Sequence, residues 1–366
     1  MARWTAVLLL GIPVAFLAHG RAGLEWITFA GSALSLVPLA LAIRVGTEHL
    51  AARLGSGLGG LLNATFANAA ELIITIFALR EGLTDLVKAS IVGSILSNSL
   101  LGLGLSAIIG GARHGTQRFH VGPVRRAATM LILAVSAMAL PAVFAQSERS
   151  FFLQEEVSVG IAILLLVTYA AYLVYSHGPH GRRSDAELAA HATLEPVAGG
   201  GAKHPDGEAP ANDTWGLGRS FGLLTGAVVA TAAASELLVG AVEPVSHSMG
   251  LSSFFVGLIV IPIVGNVAEY YSAIVFARQN RMELSFAIAA SSSIQIAVFV
   301  APCLVLLSLL FHPMTLIFRP MELVALLASS AIFAYVSLDG ETDWLEGAQL
   351  VSLYLICAVA FFFVPG

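Results

Sequence analysis

Apolar segments of about 20 residues recur from near the start of the sequence to its end, separated by short stretches of charge, glycine or proline. A helix needs roughly 20 mostly apolar residues to cross the hydrocarbon core of a bilayer. Hydrophobic residues make up 57% of the chain and charged residues 11%, about half the charged share of a soluble domain. The sequence therefore predicts an integral membrane protein.

The apolar segments predict helices rather than the strands of a barrel. Only helices and closed barrels can span lipid, and these segments are too long for barrel strands and lack an alternation of apolar and polar residues. We expect an all-α, multi-pass bundle of about 11 transmembrane helices. The predicted helices lie near 5–20, 25–46, 58–80, 85–110, 125–145, 155–175, 217–241, 252–277, 284–310, 319–337 and 345–364.

A long polar interval divides the chain into two groups of five helices. Residues 176–214 contain three consecutive glycines, several prolines and four histidines, namely His177, His180, His191 and His204. The histidine spacing matches no compact set of metal ligands, so the composition favours a flexible linker. The predicted parts are a first transmembrane helix at 1–24, a five-helix repeat at 25–175, the linker at 176–214 and a second five-helix repeat at 215–366.

The distribution of basic residues predicts the orientation of the chain. If the helices alternate in direction, most of the 18 Lys and Arg residues, Arg44 among them, fall on the side of the N-terminus. Basic residues concentrate in cytoplasmic loops. We therefore expect the N-terminus and the linker in the cytoplasm and the C-terminus on the opposite side.

Two carboxylates lie inside otherwise apolar predicted helices, at Glu71 and Glu269. An ionisable group at the bilayer centre costs roughly 2.5 to 3.5 kcal/mol on insertion scales, so it is usually kept for a function. Each glutamate follows an asparagine by three residues, Asn68 and Asn266, and this spacing places both side chains on one helix face. Each Asn and Glu pair is predicted to form half of a cation site.

The next predicted helix in each half adds neutral oxygen ligands. Ser94 and Asn98 occur in the first half, and Ser292 and Gln295 occur in the second. A serine in a membrane helix commonly bonds only its own backbone or a neighbouring helix. The repetition of the whole pattern in both halves favours a shared cation site over two unrelated polar clusters.

A hydroxyl and carboxylate pair precedes each motif and completes an internal repeat. These pairs are Thr47 with Glu48, and Ser235 with Glu236. Five helices is an odd number, so the two repeats must enter the membrane in opposite senses. Secondary transporters commonly use this inverted arrangement and place the substrate near the midplane, where the repeats meet.

The motifs resemble those of the calcium/proton antiporter (CAX) family in the cation/calcium exchanger superfamily, over about residues 40–364. The most specific stretches are Leu61–Glu71 (LLNATFANAAE), Gly265–Glu269 (GNVAE) and Ser293–Pro302 (SIQIAVFVAP). The resemblance implies a secondary active transporter that exchanges Ca²⁺ for H⁺. It also implies that Glu71 and Glu269 bind calcium with support from Asn68 and Asn266, while Glu48 and Glu236 line gating helices and access paths.

Two positions depart from the family pattern. Ala67 stands where the family usually has glycine before the first asparagine, and Tyr270 stands where it usually has histidine after the second glutamate. The alanine is a mild steric change. The tyrosine removes a group that titrates near neutral pH and could take part in proton coupling.

The available ligands suit calcium and an exchange reaction. Calcium takes six to eight oxygen ligands from carboxylates, amides, backbone carbonyls and water, whereas zinc and copper prefer nitrogen and sulfur. Two carboxylates in a poorly hydrated site repel each other and lose hydration, so they hold either one divalent ion or protons. We expect no cofactor, no nucleic acid and no partner beyond Ca²⁺, protons and the lipid bilayer, and the sequence leaves a homo-oligomer open.

Three other classes of protein remain as alternatives. A sodium/calcium exchanger would share the inverted repeats and both glutamates, and manganese would accept the same oxygen ligands. A cation channel fits an inverted repeat with a binding site less well than alternating access does. A membrane-embedded enzyme lacks support because the chain contains no H-E-x-x-H motif and no serine with a histidine partner in the predicted spans.

Overall fold

The computed structural model describes residues 7–147, 149–177 and 215–364, which form a bundle of helices with one two-stranded sheet. Three π-helical segments, Ser97–Gly102, Val256–Val260 and Ile296–Val300, each continue an α-helix. The α-helices of these ranges are α1 Gly11–Ala18, α2 Glu25–Phe66, α3 Ala69–Arg80, α4 Thr84–Leu96, α5 Leu103–His114, α6 Val121–Ser147, α7 Phe151–His177, α8 Leu217–Met249, α9 Ser253–Phe255, α10 Ile261–Gly265, α11 Val267–Arg278, α12 Met282–Gln295, α13 Ala301–Ser308, α14 Pro320–Val336 and α15 Trp344–Phe362.

The helices are long and apolar enough to cross a bilayer several times. Seven helical stretches of the described ranges qualify as membrane spans by length and hydropathy, and the bent pair Ser253–Gly265 with Val267–Arg278 qualifies as an eighth. The helix α14 is also apolar but, with 17 residues, is shorter than these spans. Each of the eleven predicted apolar segments contains a helix, so the prediction of an all-α, multi-pass membrane protein is confirmed. The predicted linker and its histidines lie outside the described residues, apart from the end of α7.

Two predicted helices are interrupted, and here the prediction of continuous helices over 58–80 and 252–277 is wrong. The backbone leaves helical geometry at Asn68, with φ −109° and ψ 28°, and at Asn266, with φ −95° and ψ 11°. In the second half the two helical pieces meet at an angle of 54°. Each asparagine therefore sits at a break and each glutamate lies in the first turn of the following helix, where the helix dipole favours a negative charge.

The chain also folds back within α2. The backbone of Gly59 lies against the backbone of Ala51, eight residues earlier, too close for a side chain to fit between them. A straight helix would separate these residues by about 12 Å along its axis. The glycine thus allows a close approach where the span Glu25–Leu54 ends and the chain turns toward the site.

Connecting segments gather at the two ends of the bundle. At one end, β1 (Gln117–Arg118) pairs antiparallel with β2 (Glu341–Thr342), and Arg118 Nε lies 3.0 Å from Glu341 Oε1. At the same end, Trp215, just before α8, stacks on His49 of α2 with ring centroids 4.6 Å apart; this end is called the linker end below because the segment 178–214 joins it.

The opposite end holds the other connections. Lys88 of α4 donates a hydrogen bond of 3.2 Å to the carbonyl oxygen of Ile317, which lies just before α14. Arg319 Nη2 lies 3.5 Å from Asp85 Oδ2, and its guanidinium packs over the Phe254 ring. Alternate connections thus meet at opposite ends, as a bundle of antiparallel spans requires.

Small residues let the two halves interlock at the centre. Gly93 of α4 lies directly against the backbone of Leu258, and a Cβ on Gly257 would come within 2.9 Å of the carbonyl oxygen of Leu86. In membranes, small residues at such crossings permit backbones to approach closely. In the core, α4 of the first half therefore packs against the π-helical segment Val256–Val260 of the second half.

Candidate cation-binding site

Glu71 and Glu269 come together at the centre of the bundle from opposite halves of the chain. Both line one small cavity of about 10 Å³, close to the minimum that holds a single water-sized species. Glu71 Oε1 is buried and has no hydrogen-bond partner among the described residues. It is available to a ligand in the cavity.

Gly265 provides the space that the Glu71 carboxylate occupies. A Cβ at Gly265 would lie 3.2 Å from Glu71 Oε1 and 3.3 Å from its Cγ. Any larger residue here would therefore press on the carboxylate. The glycine before Asn266 thus serves the glutamate of the other half, which the local motif alone does not reveal.

Hydrogen bonds between the halves connect the neutral side chains around the carboxylates. Asn98 Nδ2 donates to Asn266 Oδ1 at 2.8 Å and to Ser292 Oγ at 2.8 Å. Asn266 Nδ2 in turn donates to Ser94 Oγ at 3.2 Å. These four buried side chains belong to both halves and hold each other in one arrangement.

The first asparagine joins the same network from the other side. Asn68 Nδ2 donates to Gln295 Oε1, and Ser292 Oγ donates to Asn68 Oδ1 at 3.2 Å. The structure therefore brings together all eight residues that the sequence predicts as cation ligands: Asn68, Glu71, Ser94, Asn98, Asn266, Glu269, Ser292 and Gln295.

A larger cavity of about 150 Å³ adjoins the carboxylates, and Glu269 and Gln295 line it. Thr47 and Glu48 form part of its wall, and the Glu48 side chain is 54% exposed. Because His49 stacks on Trp215 at the linker end, this cavity reaches from the site toward that end. The site thus adjoins a larger cavity on the side of Thr47 and Glu48.

The two residues expected to line access paths are not equivalent. Glu48 lies on the wall of the larger cavity, whereas Glu236 is exposed on α8 and lies outside both cavities. Glu236 therefore stays a predicted access residue.

Arg44 is a cavity residue that the sequence reasoning did not place at the site. It lines both cavities together with Glu269. Its Nε donates to Glu48 Oε1 at 2.9 Å, and its Nη1 donates to Ser272 Oγ at 2.7 Å. The available signal was a charged residue near the end of an apolar segment, which the positive-inside pattern explained equally well.

Tyr270 packs into the core beside the site. It is buried, its ring lies against Gly102 of the first half, and its hydroxyl lies 3.5 Å from the carbonyl oxygen of Pro262. That same carbonyl accepts a hydrogen bond of 2.9 Å from Asn266 Nδ2. The tyrosine therefore occupies the family's histidine position as a packing residue that also supports the helix break.

The chemistry of this arrangement fits a hard cation. Two carboxylates line the smaller cavity, and amide and hydroxyl side chains of both halves lie beside them. Oxygen ligands of this mixture are typical of calcium sites.

The model of the sodium/calcium exchanger protein family matches the chain twice, over residues 24–178 and 219–363. The chain belongs to this family. It is therefore a member of a transporter family, with two repeated halves.

Individual relatives cover almost the whole chain. A Ca²⁺/H⁺ antiporter of Synechocystis is 39% identical over 98% of this chain and 97% of its own length. The Ca²⁺/H⁺ antiporter ChaA of Bacillus subtilis is 36% identical over 96% of both chains. The crystal structure of native YfkE superimposes with a TM-score of 0.80 at 34% identity, covering 98% of this chain and 100% of YfkE. The resemblance to calcium/proton antiporters is thereby confirmed.

Proposed function

We propose that this protein exchanges Ca²⁺ for H⁺ across a membrane by alternating access. The observation that carries the proposal is the meeting of Glu71 and Glu269, one from each half, in a cavity surrounded by neutral oxygen ligands. In this proposal the two carboxylates bind either one calcium ion or protons. Asn68, Asn266, Ser94, Asn98, Ser292 and Gln295 position them or supply further oxygen ligands.

Charge balance couples the two fluxes. Two carboxylates in a buried site repel each other and are poorly hydrated, so the empty and fully charged site is unfavourable. A divalent cation or a pair of protons neutralises the site, and the two occupants exclude each other. A transporter that changes its access only when the site is neutral therefore moves calcium one way for protons the other way.

Several features support protons rather than sodium as the coupling ion. The full-length relatives from Synechocystis and Bacillus subtilis are both named Ca²⁺/H⁺ antiporters. Two carboxylates also bind protons directly, since a carboxylate is itself a proton acceptor.

The path to the site supports a direction of access. The larger cavity extends toward the linker end, while Gly93 packs tightly on Leu258 where the halves cross. We propose that the linker end and the N-terminus face the cytoplasm, in agreement with the excess of basic residues there. The conformation described is then open toward the cytoplasm, with Glu48 on its access path.

Calcium uptake into proteoliposomes tests this function. The purified full-length protein is reconstituted, and uptake is measured under an imposed pH gradient and, separately, under a sodium gradient at constant pH. We expect the pH gradient alone to drive accumulation above equilibrium. Accumulation that needs a sodium gradient would identify a sodium/calcium exchanger instead, and calcium that only equilibrates under every gradient would indicate a channel.

A further inference from the structure

The wall of the larger cavity carries a fixed positive charge next to a cation site. Arg44 lines both cavities together with Glu269, and its side chain is 31% exposed. A cation on the path of another cation is electrostatically unfavourable. The preference for basic residues at the cytoplasmic ends of spans does not by itself explain why Arg44 lines the cavity beside Glu269.

Two hydrogen bonds fix the position of the guanidinium. Arg44 Nη1 donates to Ser272 Oγ at 2.7 Å, and Arg44 Nε donates to Glu48 Oε1 at 2.9 Å. Ser272 follows Glu269 by three residues in α11, so the two side chains share a helix face. Arg44 is thus held between the access helix α2 and the helix that carries one of the two site carboxylates.

The second half has no equivalent charge. Arg44 precedes Glu48 by four residues, and the residue four positions before Glu236 is Ala232. The two repeats therefore share the carboxylate, Glu48 in one and Glu236 in the other, but only the first repeat has the preceding arginine. Of the two matched positions 44 and 232, only the one in α2 carries a positive charge.

We propose that Arg44 determines the calcium affinity of the site. Its guanidinium is a fixed positive charge that competes with calcium for electrostatic interaction with the Glu269 carboxylate. It therefore weakens calcium binding in the conformation open toward the linker end. This inference rests on the proposed calcium function. The guanidinium repels a calcium ion at the site and partly balances Glu269 when calcium is absent. Loss of the charge therefore tightens calcium binding, whereas loss of a merely structural residue weakens it.

The sign of the effect makes the proposal testable by equilibrium calcium binding to the purified full-length protein. Arg44→Gln keeps a hydrogen-bonding side chain and removes the charge, and we expect its calcium dissociation constant to fall at least about tenfold. Arg44→Lys keeps the charge, and we expect its calcium dissociation constant to change much less than that of Arg44→Gln. Arg113→Gln removes an exposed charge at the linker end, outside both cavities, and should have no effect.

A second pair of variants separates the effect of Arg44 on calcium binding from the effect of its ion-pair partner Glu48. Removal of Arg44 also releases the Glu48 carboxylate, which could itself attract calcium. Glu48→Gln and the double variant Arg44→Gln with Glu48→Gln remove that contribution. We expect the double variant to bind calcium more tightly than Glu48→Gln alone, by a factor similar to that in the unchanged background.

Three results would overturn the inference in distinguishable ways. If the unchanged protein binds no calcium, the proposed function itself is wrong. If it binds calcium and the folded Arg44→Gln protein binds it equally or more weakly, the proposed function stands and the role of Arg44 is wrong. Tightening that disappears in the Glu48→Gln background would likewise assign the effect to Glu48.

Discussion

Asn98 Nδ2 lies 2.8 Å from Asn266 Oδ1 and donates a hydrogen bond to it across the boundary between the two halves. The same amide also donates to Ser292 Oγ. Asn266 sits at the helix break that begins α11, three residues before Glu269. One side chain of the first half thus holds the backbone break that positions the carboxylate of the second half.

Loss of this amide should disturb both stability and calcium binding. Asn98→Leu leaves Asn266 Oδ1 buried without its donor, and an unsatisfied buried acceptor costs about 1 to 3 kcal/mol. We expect a lower melting temperature in detergent and weaker calcium binding. Ser99→Ala is the matched control, because Ser99 Oγ donates only to the carbonyl oxygens of Ile95 and Leu96, one turn earlier. Equal losses in both variants would contradict the bridging role of Asn98.

The two glutamates should be jointly essential for transport. Glu71→Gln and Glu269→Gln each keep the size of the side chain and remove the negative charge that a divalent cation requires. We expect each variant to lose exchange in reconstituted vesicles while it inserts and folds normally. Glu81→Gln, an exposed position just after α3, should retain exchange. Transport near the normal rate in the folded Glu71→Gln protein would remove the two-carboxylate site.

A methyl group at Gly265 should weaken the site without removing any ligand. The added Cβ would lie 3.2 Å from Glu71 Oε1, so the carboxylate must shift, and overpacking typically costs about 1 to 3 kcal/mol. We expect calcium affinity to fall about tenfold, equivalent to about 1.4 kcal/mol. Gly226→Ala is the control, because nothing lies within 4 Å of a Cβ there. An unchanged affinity for Gly265→Ala would mean that Glu71 does not bind calcium in the position described.

Apparent calcium affinity should fall as the pH is lowered. If both carboxylates must release protons before calcium binds, each pH unit below their pKa values weakens apparent affinity by up to about a hundredfold, or roughly 2.7 kcal/mol. Calcium titrations between about pH 5.5 and 8.5 measure this slope. A slope near tenfold per unit would indicate one competing proton, and a flat profile would contradict proton competition.

The Tyr270 position offers a way to change the pH profile without removing a site carboxylate. Tyr270→His restores the residue that the resembling family usually has and adds a group with an unperturbed pKa of about 6.5 beside Glu269. We expect a shifted pH profile with transport retained. Tyr270→Phe keeps the packing against Gly102 and adds no titratable group, so its profile should match that of the unchanged protein. Identical profiles for the histidine and phenylalanine variants would exclude an effect of this position on proton coupling.

The sequence predicts the spans well because membrane helices are defined locally, by about 20 apolar residues in a row. It also predicts the polar residues that meet at the centre, since a carboxylate such as Glu71 inside lipid is costly unless it has a use. These signals depend on composition and position in the chain. They do not depend on which helices touch.

Features that depend on contacts between distant segments could not be predicted from the sequence. The helix breaks at Asn68 and Asn266 interrupt otherwise apolar segments. The hydrogen-bond donors to these two side chains, Ser292 and Asn98, become evident only when the two halves are packed together. Gly265 accommodates a carboxylate almost 200 residues away. Arg44 had a sufficient local explanation as a basic residue near a helix end, and its place beside Glu269 follows from the packing of α2 on α11.

Calcium and protons should exclude each other at Glu71 and Glu269, and simultaneous measurement of the two fluxes tests this competition. Sealed proteoliposomes carry a calcium tracer outside and a pH-sensitive dye inside, in a sodium-free buffer with an imposed pH gradient. We expect calcium entry accompanied by proton exit, and neither flux in vesicles that contain Glu71→Gln. Calcium movement that requires sodium and proceeds without opposite proton movement would contradict it.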